Sequence, residues 1–140
     1  MEVVPLKMTR NRLSNYRKLQ QEIPLLEYEI RELWLTDKGM GNSVILNGKN
    51  GSKKPETVVG FDQEKYERRK ETLQRKKEEV KEIKEWIEAI EDGQTRCVFR
   101  MFYIEGLSWK KIAKKIGLTG NEDYPRKMIR DKYFEERKIK

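Results

Sequence analysis

The sequence predicts an all-α protein: a long antiparallel helical hairpin, coiled-coil-like, followed by a C-terminal three-helix unit with a helix-turn-helix inside it. Three observations predict this class. Two separate segments repeat their apolar residues at alternating steps of three and four, or at sevens, which is the signature of a helical seam. A Gly- and Asn-rich stretch lies between them and lets the chain reverse. Near the C-terminus, a helix-capping Ser opens a short amphipathic run that a Gly closes, and a second short run follows.

The first segment runs from about Thr9 to Leu35, where Tyr16, Leu19, Ile23, Leu26, Ile30 and Leu33 form the seam. Pro24 interrupts it. Proline lacks a backbone donor and its ring presses on the preceding turn, so a kink near Gln20–Pro24, or two abutting helices, is expected. Thr36 to Gly60 is different material, holding five of the nine glycines. It reads as a mobile loop. The alternative is a small hairpin of Val44–Leu46 and Thr57–Val59 around the Asn-Gly pairs.

Asp62 is placed to cap the longest helix, which should reach about Glu91. Tyr66, Leu73, Val80 and Ile87 are spaced by seven, with Ile83 and Ile90 filling the alternate positions. Arg69 and Lys76 stand where that seam wants apolar groups, so its first half is expected to be wet. The two segments can close on each other within one chain or pair between two chains as a homodimer, and the pattern alone leaves both open. Asp92-Gly93 ends the long helix. The next helix, about Gln94 to Ile104, carries Cys97, Val98, Met101 and Phe102 on one face, with Phe99 and Tyr103 further round. So wide an apolar arc belongs in a core, and Cys97 is expected to be buried and inert. These elements divide the chain as 1–61, 62–92 and 93–140.

From Gly106 onward, Ser108 caps a helix whose Trp109, Ile112, Ala113 and Ile116 share one face, and Gly117 ends it. Ile112, Ile116, Leu118, Met128 and Ile129 are the expected core, with Trp109 at its rim. Pro125 favours a first turn, which starts the last helix at Asp123 or Tyr124. Tyr133 and Phe134 are expected to tuck back onto the core.

Charge sharpens the reading. The net balance is +8, and residues 93–140 hold 13 basic against 6 acidic side chains, a local +7. A basic excess concentrated on a helix-turn-helix points to nucleic acid. A recognition helix offers its N-terminal residues to base edges, here Asn121, Glu122, Tyr124, Arg126, Lys127 and Arg130. Lys110, Lys111, Lys114 and Lys115, on the preceding helix, suit phosphates. With one cysteine and no histidine, the chain lacks the makings of a disulfide, a zinc site or histidine chemistry. No catalytic residues, metal or cofactor are expected, and an enzyme is the least favoured reading. No apolar run approaches a membrane span and no signal-peptide pattern opens the chain.

RMFYIEGLSWKKIAKKIG resembles the start of region 4 of the sigma-70 family, with its helix, Gly-Leu-Ser junction and IA-containing helix. The whole layout is similar to phage and prophage late-operon regulators of the RinA/ArpU type. That resemblance is specific over Arg96–Phe134 and architectural elsewhere. It implies a sequence-specific double-stranded DNA-binding regulator, a sigma-like activator of late genes, working in the bacterial cytoplasm with host RNA polymerase as a possible partner. The turn GLTGNEDYPRK is longer than the usual sigma-type turn, and nothing resembles the promoter-melting region. Two other readings compete: a terminase small-subunit-like DNA-packaging protein, and a coiled-coil adaptor that does not bind DNA.

Overall fold

A computed structural model describes the backbone of residues 7–47 and 62–140, and the side chains among them outside 36–47. The protein is all-helical over these residues. In chain order, α1 is Arg10–Ser14, α2 is Tyr16–Asn47 and α3 is Gln63–Glu88. Helix α4 is Gly93–Phe99, continued with wider π-type turns over Arg100–Ile104. Helix α5 is Trp109–Lys115, and α6 joins a π-type stretch, Tyr124–Asp131, to an α-helical end, Lys132–Glu136. Among the described residues, no helix is long and apolar enough to cross a membrane.

Contacts group the chain into two compact units: Met1–Gln20 with Glu79–Lys140, and Gln21–Glu78. The division 1–61, 62–92 and 93–140 therefore follows elements along the chain rather than compact bodies. The second unit is an antiparallel pair formed by α2 and α3 within one chain. Lys76 pairs with Glu22 at 2.9 Å, Lys77 with Glu27 at 3.0 Å and Arg69 with Glu29 at 3.0 Å. Trp34 meets Tyr66 at 5.6 Å between ring centroids. Arg69 and Lys76, the two cations in the predicted seam, are thus drawn to carboxylates on the opposite helix, and Leu26 is the one buried hydrophobic described in this unit. Exposed pairs of this kind contribute roughly 0–1 kcal/mol each.

Helix α2 differs from expectation in its extent. It is not split into two abutting helices at Pro24, through which it passes, and the chain breaks instead at Asn15, between α1 and α2. Proline leaves one carbonyl without its intrahelical partner, a loss that a long helix absorbs when its other turns stay bonded. The helix also continues past Thr36 to Asn47, so about the first half of the expected loop, including Val44–Leu46, is helical. Once nucleated, a helix gains a hydrogen bond with each residue added, which outweighs the propensity cost of Gly39 and Gly41. Thr57–Val59 and the rest of the expected loop lie outside the described residues.

The first unit is a head built around α4. One side of α4 sends Phe99 and Tyr103 into a cluster with Met8, Leu13, Tyr16, Ile83, Ile87, Ile90, Phe134 and Ile139. The other sends Val98 and Met101 against Ile112 and Ile129. Phe99 is fully buried and touches Tyr133 at 5.3 Å and Phe134 at 5.4 Å, both edge-on. Cys97, by contrast, is exposed. With α4 buried on two arcs, the remaining arc faces out, and it carries Cys97 and Arg100, whose guanidinium reaches Glu88 at 2.6 Å. An apolar neighbourhood in sequence is not an apolar neighbourhood in space.

Local signals set the ends of these helices. Asp62 accepts from the Lys65 N–H at 2.9 Å. Asp92 accepts from both the N–H and the hydroxyl of Thr95, which holds its carboxyl below the usual range. The chain's first helix closes onto its last. Arg12 forks onto Glu79 with two 2.7 Å bonds and reaches Glu82 at 2.7 Å, and these carboxylates hold its guanidinium firmly protonated. Arg10 donates through Nε to the Ile139 carbonyl and through its backbone to that of Lys140, with its guanidinium 4.6 Å from the Phe134 ring centre.

Candidate nucleic-acid interface

The Ser108 hydroxyl accepts from the Lys111 N–H at 3.2 Å and starts α5. Ile112 and Ala113 are fully buried against α4 and α6. At 100° per residue, Lys110, Lys111, Lys114 and Lys115 fall on the arc opposite them, and all four are exposed. No carboxylate pairs with any of the four among the described residues. Lys114 and Lys115 sit in the last turn, where the helix dipole favours cations. The result is a row of four hydrated ammonium groups on a short rigid rod.

The turn that follows uses left-handed backbone twice, at Gly117 (φ 85°) and Gly120 (φ 86°). The Leu118 N–H donates to the Ala113 carbonyl at 2.7 Å, and the Asn121 N–H to that of Leu118 at 2.9 Å. The Asn121 side chain accepts from the Tyr124 N–H at 3.3 Å. Its amide oxygen is therefore occupied in shaping the entry to α6. Helix α6 begins at Tyr124 with Pro125 in its first turn, as expected.

Helix α6 does not follow the 3.6-residue register. Its buried residues are Pro125, Ile129 and Phe134, steps of four and five, which match the wider repeat of i→i+5 turns. This shift redistributes the expected site and core. Met128, expected in the core, is 52% exposed. Tyr124 and Lys127, four residues and one residue before it, are exposed as well. Ile116 and Leu118 are half-buried, and Tyr133 and Phe134 do pack inward.

The expected base-contacting arginines fare differently. Arg126 bonds to Asp123 at 2.7 Å, and that guanidinium is the main cause holding the Asp123 carboxyl below its ordinary range, with Lys127 adding to it. Arg130 is mostly covered, with 21% of its side chain exposed. Its guanidinium lies 5.0 Å from the Trp109 ring centre, 5.3 Å from that of Phe102 and 6.0 Å from that of Phe134, with Nε on Asp131 at 2.9 Å. Phe102 and Trp109 stack at 4.1 Å, 15° from parallel, so the cation closes over a ready-made aromatic face. Tyr103, buried next to this group, has its hydroxyl pKa pushed up by burial, with Arg130 pulling the other way. Arg130, expected at base edges, is thus a partly buried cation held against rings of the head. Glu122 is exposed beside Asp123, and both are acidic at the entry to α6.

The structure thus brings Lys110, Lys111, Lys114 and Lys115 onto one face of α5 and leaves Tyr124 and Lys127 outward on α6. It takes Arg130 away and adds Met128, which sequence reasoning missed. Regrouped by compact unit, the head holds 20 basic and 13 acidic residues, a +7 excess, against 12 and 11 in the hairpin. In comparison with known proteins, the chain matches no family model, no curated protein and no solved structure.

Proposed function

We propose that the protein binds double-stranded DNA through its head and acts as a transcriptional regulator of the sigma-like, phage late-operon kind, without catalytic activity. The single observation that carries this reading is the unpaired lysine row on α5, standing next to a glycine turn and a last helix with an outward-facing start. Lys110, Lys111, Lys114 and Lys115 serve as phosphate contacts that fix the head on the duplex. The outward start of α6 enters the major groove. Host RNA polymerase is the expected protein partner, and the bacterial cytoplasm the compartment.

The exposed residues Leu25, Tyr28 and Leu35, at i, i+3 and i+10 along α2, support a homodimer formed through the hairpin. The same stripe keeps the packaging-protein reading alive, because such a protein also joins a DNA-binding head to an oligomerising helix. Light scattering separates them: a dimer supports the regulator, a ring-sized assembly the packaging protein.

The test of DNA binding is a salt series. Affinity of the full chain for duplex should fall linearly in log–log form, and each lysine changed to Gln should flatten the slope by about 0.9. Salt-independent binding, or an unchanged slope after all four α5 lysines become Gln, would refute the proposal.

A further inference from the structure

Base recognition needs groups that reach past the phosphates, and the ones expected to do so are engaged elsewhere. Arg130 lies over Trp109 and Phe102. Arg126 is bonded to Asp123, and moving it to a base would leave that carboxylate unpaired at the groove. What α6 presents instead is Tyr124, Lys127 and Met128, all exposed, with Tyr124 and Met128 close to one wide turn apart. Two of the three are apolar and one is cationic. Met128 exposes half of its surface and Tyr124 38%, so the face is greasy at its centre and basic at its edge.

The occupant follows from charge and chemistry together. The neighbouring helix carries four unpaired lysines and the head is strongly basic, so the partner is an acidic polymer. In the major groove of duplex DNA one base offers an apolar group, the C5-methyl of thymine. Resting on the duplex-binding reading above, the geometry points to Met128 and Tyr124 as specificity-determining residues that read thymine methyl groups, with Lys127 beside them for a guanine edge or a phosphate. The preferred sites carry thymine at the positions under α6.

The test removes the methyl and nothing else. Duplexes retained by the full chain from a random pool are remade with deoxyuridine in place of single thymines, which keeps every base-pairing group. At a contacted position, affinity should fall about fourfold, the equivalent of ~0.8 kcal/mol for one buried carbon. Met128→Ala or Tyr124→Ala should bind the thymine and uracil duplexes alike at its own position, with the salt slope unchanged. Equal binding of both duplexes by the wild-type chain overturns the inference while leaving duplex binding intact. So does a Met128→Ala chain that keeps the full preference, which would assign this face to a protein partner. Failure to retain any duplex overturns the duplex-binding reading and this inference with it.

Discussion

Replacing Arg130 by Gln separates a cation that holds the head together from one that touches DNA. The guanidinium contacts three ring faces at 5.0 to 6.0 Å, and the side chain is only 21% exposed. A cation–π contact contributes ~0.5–1 kcal/mol in the open and about 2 when desolvated. One cation shared among three rings at this burial belongs near the upper end, so with its packing the loss should be about 1.5–2.5 kcal/mol. For a chain of this length, roughly 3 °C in Tm accompanies each kcal/mol, giving a fall of about 5–8 °C. Urea and thermal unfolding of Arg130→Gln, Trp109→Leu and the double variant supply the assay. The two single losses should overlap, with a coupling on the order of 1 kcal/mol. Arg130→Lys should recover only part of the stability, since an ammonium lacks the planar stacking of a guanidinium. The salt slope on duplex DNA should match the wild type. If Arg130→Gln unfolds like the wild type and its slope flattens by about one, the cation faces phosphate and the reasoning is wrong.

Gly106 sits at φ 71°, and a Cβ there would collide with the guanidinium of Arg17; Gly117, at φ 85°, has open space around it. Both Gly117→Ala and Gly106→Ala should cost the left-handed penalty of ~1–2 kcal/mol, since the exposed Arg17 side chain can swing clear of Gly106, and denaturant midpoints should show similar losses with no recovery when Arg17 is also changed to Ala. Stability should also depend on pH at both extremes. The Asp92 and Asp123 carboxyls are lowered from 3.8 in the folded chain, so what they contribute is complete above that value and is lost as the pH falls through their folded values. Asp92→Asn should blunt that acid limb. Tyr103 is raised from 10.0, so its contribution is complete below that pH and disappears as the pH rises through the folded value; Tyr103→Phe should remove that limb in an alkaline unfolding series.

What could be read in advance is what neighbouring residues decide. Asp62, Asp92 and Ser108 cap helices because the groups they satisfy lie three residues away, and Gly106 and Gly117 end helices by their own conformational freedom. Arg69 and Lys76 announced a wet seam because their misfit is visible in the heptad itself. The failures have two causes. Met128 and Cys97 were misplaced because a 3.6-residue period was applied across helices that widen or that bury two arcs. The roles of Met8, Leu13, Tyr16 and Arg130 depend on partners far along the chain: Leu13 meets residues after position 80, and Arg130 meets rings from α4 and α5. Pattern carries no information about such encounters. Arg130 was read as a surface charge because the stacked pair beneath it exists only once the head is assembled.

The bond from Arg10 to Ile139 spans 129 positions, and it sets an order of events. A ribosome makes Arg10 long before the Phe134 and Ile139 that it meets. Until that segment emerges, Leu13 and Tyr16 can close on Ile83, Ile87 and Phe99 but not on Phe134 and Ile139, while the local α2–α3 pairing can form early. The head is therefore the late and slow part of folding, governed by loop closure over a long stretch of chain. A head closed in this way gains its last core contacts only once Phe134 and Ile139 have left the ribosome.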